Sequence, residues 1–267
     1  MDTPPLPSPT FPAYTNHLEI LRDKSESTAK VLCIIFGLLL LVGLMCTGIG
    51  LVLLLISLLV FIFKFALAAR LKANGVLVTA QQWPELHQII EQSQAKLGIS
   101  GAKAYIVQDS AFNAYAMRAA GRDFVVLNSG AVDTLLRKGR IDDLRFLVGH
   151  ECGHVAFGHL GFTGGFLPMF AELIFPLYAW YRRCQERSAD RAGLWCAGNR
   201  ADAHRSIAAL AGGAEMGSRI DINGIAAQWH EIRDEFWVRY TMFYSPYPHL
   251  CDRILLVHSA ADELRLP

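Results

Sequence analysis

At 267 residues the chain has room for one large domain or two small ones. It is 52% hydrophobic and only 18% charged, which is too apolar for an ordinary soluble protein. A net charge of +1 offers no electrostatic hold on a phosphate backbone, so no nucleic-acid partner is expected.

Residues 1–16 are rich in Pro, Thr and Ser and read as a disordered tail, the first part of an N-terminal segment 1–30. Val31 to Phe63 then runs for 33 residues without a charge. As one helix it would be about 50 Å long, against a hydrocarbon core of about 30 Å. Two readings follow for a membrane segment at 31–69. One is a hairpin of two short spans turning at the glycines between Gly43 and Gly50; the other is a single tilted span. Arg22, Lys24 and Lys30 precede the run, and Lys64, Arg70 and Lys72 follow it. Basic flanks stay on the cytoplasmic side, which favours the hairpin and a cytoplasmic domain at 76–267. Six cysteines without a C-x-x-C pair, one inside a His motif, indicate reduced thiols and the same compartment.

Beyond the membrane segment, residues 80–97 carry Leu86, Ile89, Ile90 and Leu97 at helical spacing and stop at Gly98. Lys103 to Gln108, Asn113 to Ala116 and Phe124 to Leu127 read as short strands. Ala131 to Leu136 begins another helix, and Ile141 to Phe157 is a helix holding His150-Glu151-Cys152-Gly153-His154. In this H-E-x-x-H pattern the two imidazoles at i and i+4 share one helix face and can reach one metal ion. Glu151 then lies beside the metal, placed to take a proton from a bound water.

A catalytic zinc site needs a third protein ligand. The position where a metzincin carries its third His is Leu160, and His159 is expected near the opposite helix face. Glu186 and Asp190 stand four apart on a further helix. Glu186 can complete the metal site while Asp190 hydrogen-bonds a ligating imidazole. If His154 and Glu186 meet at one ion, the apolar stretch between them, residues 160–181, begins and ends on one side of the membrane. Pro168, Pro176 and Glu172 also oppose a straight span, so this stretch is expected to be a flap that packs on the domain or dips into the near leaflet.

Together these motifs resemble the M48 family of zinc metallopeptidases, which includes bacterial membrane heat-shock proteases and CaaX-processing proteases. The resemblance spans roughly residues 80–257. It implies an α+β, mainly helical gluzincin-type domain with a small β-sheet beside the zinc helix, preceded here by the membrane segment. It implies one Zn²⁺ per chain held by His150, His154 and Glu186, with Glu151 as base. It also implies a sheet edge that binds extended peptide, assigned to Asn113, Ala114, Tyr115 and Ala116. The family's C-terminal His-Pro motif departs here to Tyr247-Pro248-His249, with Arg253 following. Either Tyr247 or His249 is then the candidate oxyanion stabiliser. Arg253 either serves catalysis or pairs with an acidic residue to hold the C-terminal helix. The function expected is a membrane-anchored zinc endopeptidase of a bacterial inner membrane, acting on membrane-associated or misfolded proteins. The competing expectation is a non-catalytic zinc-stabilised membrane scaffold, which would have no use for Glu151 as a base.

Overall fold

The computed structural model describes residues 17–217 and 219–267; the tail expected at 1–16 lies outside the described residues. The chain is mainly helical with one small mixed sheet. Helix α1 (His17–Leu21) leads into α2 (Glu26–Met45), and a turn through Gly48 leads into α3 (Ile49–Asn74). Residues 17–30 are therefore not tail: Leu21 and Glu26 are buried against the body of the protein.

Both long helices are apolar enough to cross a membrane, and most of their side chains have no protein cover. Val42 is 66% exposed and Leu59 65% exposed, so these are not core helices of a soluble fold. Each packs on the domain through residues toward one end. Ala29 and Cys33, early in α2, pack with Ala171, Tyr181 and Cys184. Ala68 and Leu71, late in α3, pack with Tyr105, Phe124 and Val126. The chain thus leaves the domain along α2 and returns to it along α3, which is the hairpin alternative.

After β1 (Val76–Leu77) come α4 (Pro84–Lys96), β2 (Lys103–Val107), β3 (Ala114–Ala119), β4 (Arg122–Asn128) and α5 (Ser129–Arg137). The sheet order is β1-β2-β4-β3, with β2 and β4 parallel and the outer pairs antiparallel. β4 is buried on both faces. Val125 and Leu127 join the main core with Leu86, Ile89 and Leu144, whereas Phe124 and Val126 face the end of α3. β3 forms one edge of this sheet.

The remaining helices are α6 (Leu144–Ala156), α7 (Phe175–Ala197), α8 (Arg200–Gly217, broken at Gly213), α9 (Ile222–Ile232), α10 (Phe236–Tyr244) and α11 (Leu250–Glu263). The apolar stretch expected as one flap at 160–181 is two things. A π-helical turn (Phe162–Phe166) and a 3-10 segment (Pro168–Leu173) form its first part, and Phe175 to Tyr181 are already α7. The 3-10 segment lies against α2 so closely that a Cβ on Gly37 would stand 2.8 Å from the Ala171 amide nitrogen. Ala171 is thus buried between the anchor and α7, whereas Leu173 stays exposed.

Candidate metal centre

The centre is built on the packing of α6 against α7. A Cβ on Gly149 would run into Cys196, one on Gly153 would lie 2.8 Å from the Ala192 Cβ, and one on Gly193 would lie 2.8 Å from the Phe146 carbonyl oxygen. Glycine at these positions lets the two backbones approach more closely than any other residue allows. That approach brings Glu186, on α7, to the face of α6 that carries His150 and His154.

The Nε2 atoms of His150 and His154 are 3.3 Å apart. Glu186 Oε2 is 3.4 Å from His150 Nε2, and Glu186 Oε1 is 3.8 Å from His154 Nε2. With metal–ligand bonds of about 2.0–2.1 Å, the edge of a ligand tetrahedron is about 3.3 Å, so the two nitrogens stand at that spacing and Glu186 turns one oxygen toward each of them. All three side chains are buried, and the donor atoms lie within 4.8 Å of one another. Two imidazoles and a carboxylate suit a borderline divalent metal such as zinc.

The other ring nitrogen of each His is also engaged. His150 Nδ1 is 2.9 Å from Asp190 Oδ1, and Asp190 receives two bonds from Arg253, at 2.8 Å from Nε and 2.7 Å from Nη2. Arg253 is thus the partner of a buried acid that itself orients a candidate ligand. His154 Nδ1 is 2.9 Å from His159 Nδ1. His159 does not lie on the far side of α6, as helical extrapolation places it. The helix ends at Ala156, Gly158 takes φ +73°, and the chain turns back over its own last turn.

Charge at the centre follows from this burial. Burial disfavours an imidazolium at His150, but the hydrogen bonds of Asp190 and Glu186 outweigh it and hold the pKa up at about 10. Burial likewise opposes a charged Glu186, yet His150 and His154 keep its carboxyl well below the usual range. Burial, together with the nearby Glu186, pushes Glu151 up from 4.5 to about 7, against the pull of His150 and of the Ala116 backbone. A divalent ion held by His150, His154 and Glu186 would have to displace a proton from His150.

A cleft of about 500 Å³ opens onto these residues, lined by Asn113 to Ala116, Leu147, Leu160, Arg182, Tyr247 and Arg253. Asn128 donates its amide hydrogen to the Asn113 carbonyl, so the odd-numbered residues of β3 pair with β4. The peptide groups of Ala114, Ala116 and Arg118 therefore point away from the sheet, along its open edge. The structure brings Tyr247 to the cleft but not His249, whose ring faces Thr241 at 3.5 Å and Trp229. The reason is its place as the cap residue of α11, with the side chain turned toward α9 and α10. A second, apolar cavity of about 530 Å³ lies between α3, the β3–β4 turn and Phe162 and Phe166, and it shares Leu160 with the cleft.

Residues 80–165 match the family model described as peptidase family M48. No curated protein and no solved structure gives a match. The matched segment contains β2 to β4, the H-E-x-x-H helix and the edge at Asn113–Ala116. Glu186, Asp190 and Arg253 lie beyond it and are joined to the centre by geometry alone.

Proposed function

For a chain that carries an M48 peptidase domain at residues 80–165, and so a metallopeptidase, we propose the activity of a membrane-anchored zinc endopeptidase. The observation that carries this reading is the convergence of His150, His154 and Glu186, with one donor atom from each within 4.8 Å of the others and Glu151 beside them. A zinc ion held by these three would act as a Lewis acid and lower the pKa of water to about 7.

The protein's own groups account for the remaining steps. Glu151, buried in the cleft beside the three candidate ligands, is placed to accept the proton of the attacking water and return it to the leaving amine. Tyr247, exposed in the cleft, donates its hydroxyl to the oxyanion of the scissile carbonyl. Arg253 and Asp190 hold the His150 ring, and the outward peptide groups of β3 bind substrate as an added strand. The apolar cavity that meets the cleft at Leu160 suits apolar side chains of a substrate next to the bilayer. Such substrates are membrane-associated or misfolded proteins, in quality control or processing. The basic flanks of the hairpin support a cytoplasmic domain at a bacterial inner membrane.

The test uses the full chain purified in detergent. It should contain one zinc and cleave casein, a chelator should abolish cleavage, and Glu151→Gln should keep the zinc while losing about 10²–10⁴-fold in rate. Wild-type cleavage by Glu151→Gln would reject the mechanism; a zinc-loaded wild-type chain without peptidase activity would favour the scaffold. A topology reporter fused after Arg70 tests the side of the membrane, and a signal from the far side would refute the cytoplasmic assignment.

A further inference from the structure

Glu26 is the first residue of an apolar membrane helix, yet its side chain is fully buried beside the metal centre. Its carboxylate accepts hydrogen bonds from Ser188, on α7, and from Arg22. Ser188 in turn accepts the Asp23 amide hydrogen at 2.8 Å, so the start of α2 is pinned to the helix that carries Glu186. Glu26 Oε2 also lies 3.4 Å from His159 Nε2, which has no hydrogen-bond partner of its own. On its other side His159 meets His154.

We propose that Glu26 is a positioning residue, the far end of a Glu26–His159–His154 chain that fixes the metal-binding tautomer and orientation of His154 from the membrane anchor. This rests on His154 being a ligand. If its Nε2 faces the ion, its hydrogen is on Nδ1. That hydrogen has one acceptor within reach, His159 Nδ1 at 2.9 Å. His159 Nδ1 must then be unprotonated, and the neutral ring carries its hydrogen on Nε2, where it points toward the Glu26 carboxylate. The first of these hydrogens is held at 2.9 Å; the second faces, at 3.4 Å and short of a hydrogen bond, an anion that two other donors hold in place. His150 has the parallel arrangement through Asp190 and Arg253, supplied entirely by the domain. The His154 branch differs because its carboxylate arrives on α2. It is complete only when the anchor is docked.

Outer hydrogen-bond partners of ligating histidines contribute about 10–100-fold to metal affinity. Glu26→Gln keeps size and one acceptor oxygen, enough for Ser188 or Arg22 but not both, while removing the charge. His159→Asn breaks the chain in the domain and leaves α2 untouched. Zinc affinity is measured for the full chain in detergent by competition with a chromophoric chelator, and the coordination of the cobalt-loaded chain by its visible spectrum. Each variant should lose about 10–100-fold in zinc affinity and alter the cobalt spectrum, and the double variant should lose little more than either alone. A residue that only secures the fold would lower Tm and leave affinity and spectrum unchanged, which would overturn the proposal. Full additivity in the double variant would also overturn it. Should Glu26→Gln fail to fold, His159→Asn decides: wild-type affinity there refutes the chain. The reading beneath fails separately, since it predicts that wild type and Glu151→Gln both bind one zinc tightly whatever the Glu26 variants do.

Discussion

Gly153→Ala isolates the α6–α7 contact on which the centre is built. The added Cβ would lie 2.8 Å from the Ala192 Cβ and 3.3 Å from the Ala189 Cα. Carbon atoms rest at about 3.5–4.0 Å, so the helices must separate locally by about 1 Å. Overpacking of this kind costs about 1–3 kcal/mol, and replacing Gly by Ala in a helix returns up to about 1 kcal/mol. The net loss is therefore modest for the fold. It is larger for the ion, because a ligand set tolerates displacements of only about 0.5 Å and Glu186 moves with α7. Chelator competition should show zinc affinity at least about tenfold lower, with a smaller relative change in Tm. Ala192→Gly in the same chain removes the opposing methyl and should restore much of the affinity. Gly43→Ala, where an added Cβ meets nothing within 4 Å, should have no effect on affinity. Unchanged zinc affinity in Gly153→Ala, or no rescue by Ala192→Gly, would refute the claim that this approach sets the ligand geometry.

Three further outcomes are expected. Arg253→Met leaves the fully buried Asp190 carboxylate without its two hydrogen bonds and should cost about 3–5 kcal/mol in thermal or denaturant unfolding; Arg253→Lys, a point charge without the bidentate fork, should fall between. Burial, then the His258 ring and Arg200, push His204 from 6.5 down to about 4. Between those values the unfolded chain binds a proton that the folded chain refuses, so stability is full above about 6.5 and falls as the pH drops toward 4. Replacing His204 by Gln should flatten that part of a Tm-against-pH curve. Tyr247→Phe should lower kcat by about 10²-fold or more, with zinc content unchanged, if its hydroxyl meets the oxyanion; equal kcat would assign the oxyanion elsewhere.

What could be read from the sequence was whatever depends on short spacing. The i,i+4 relation of His150 and His154, and that of Glu186 and Asp190, translate directly into shared helix faces. Phe124 to Leu127 read as a short strand from four consecutive apolar residues, and it lies within β4. Two histidines show where spacing stops being a guide. His159 returns to His154 because a left-handed Gly158 ends the helix, and counting residues along a continuing helix points it the other way. His249 is close to Tyr247 in sequence, but the cap of α11 turns it from the cleft. Glu26 carried no signal of its own: its neighbours Ser188 and His159 are more than 130 residues away, and only the docking of α2 brings them together. The 33 uncharged residues after Lys30 indicated membrane, but the return of the chain was settled by what each helix end packs against.

The open edge of β3 is not a continuous ladder. Ala116 shares its backbone with the Glu151 carboxylate, while the peptide groups of Ala114 and Arg118 have no hydrogen-bond partner among the described residues. Those two rungs are about 13 Å apart at about 3.3 Å per residue. A chain laid along this edge, as proposed above, would be gripped at both ends and left slack opposite the carboxylate. A peptide unit inside a sheet is stiffened by its partners on each side; one that bridges a missing rung keeps its carbonyl free to turn. A guest strand bound here as proposed would therefore be held everywhere except at the position that faces Glu151.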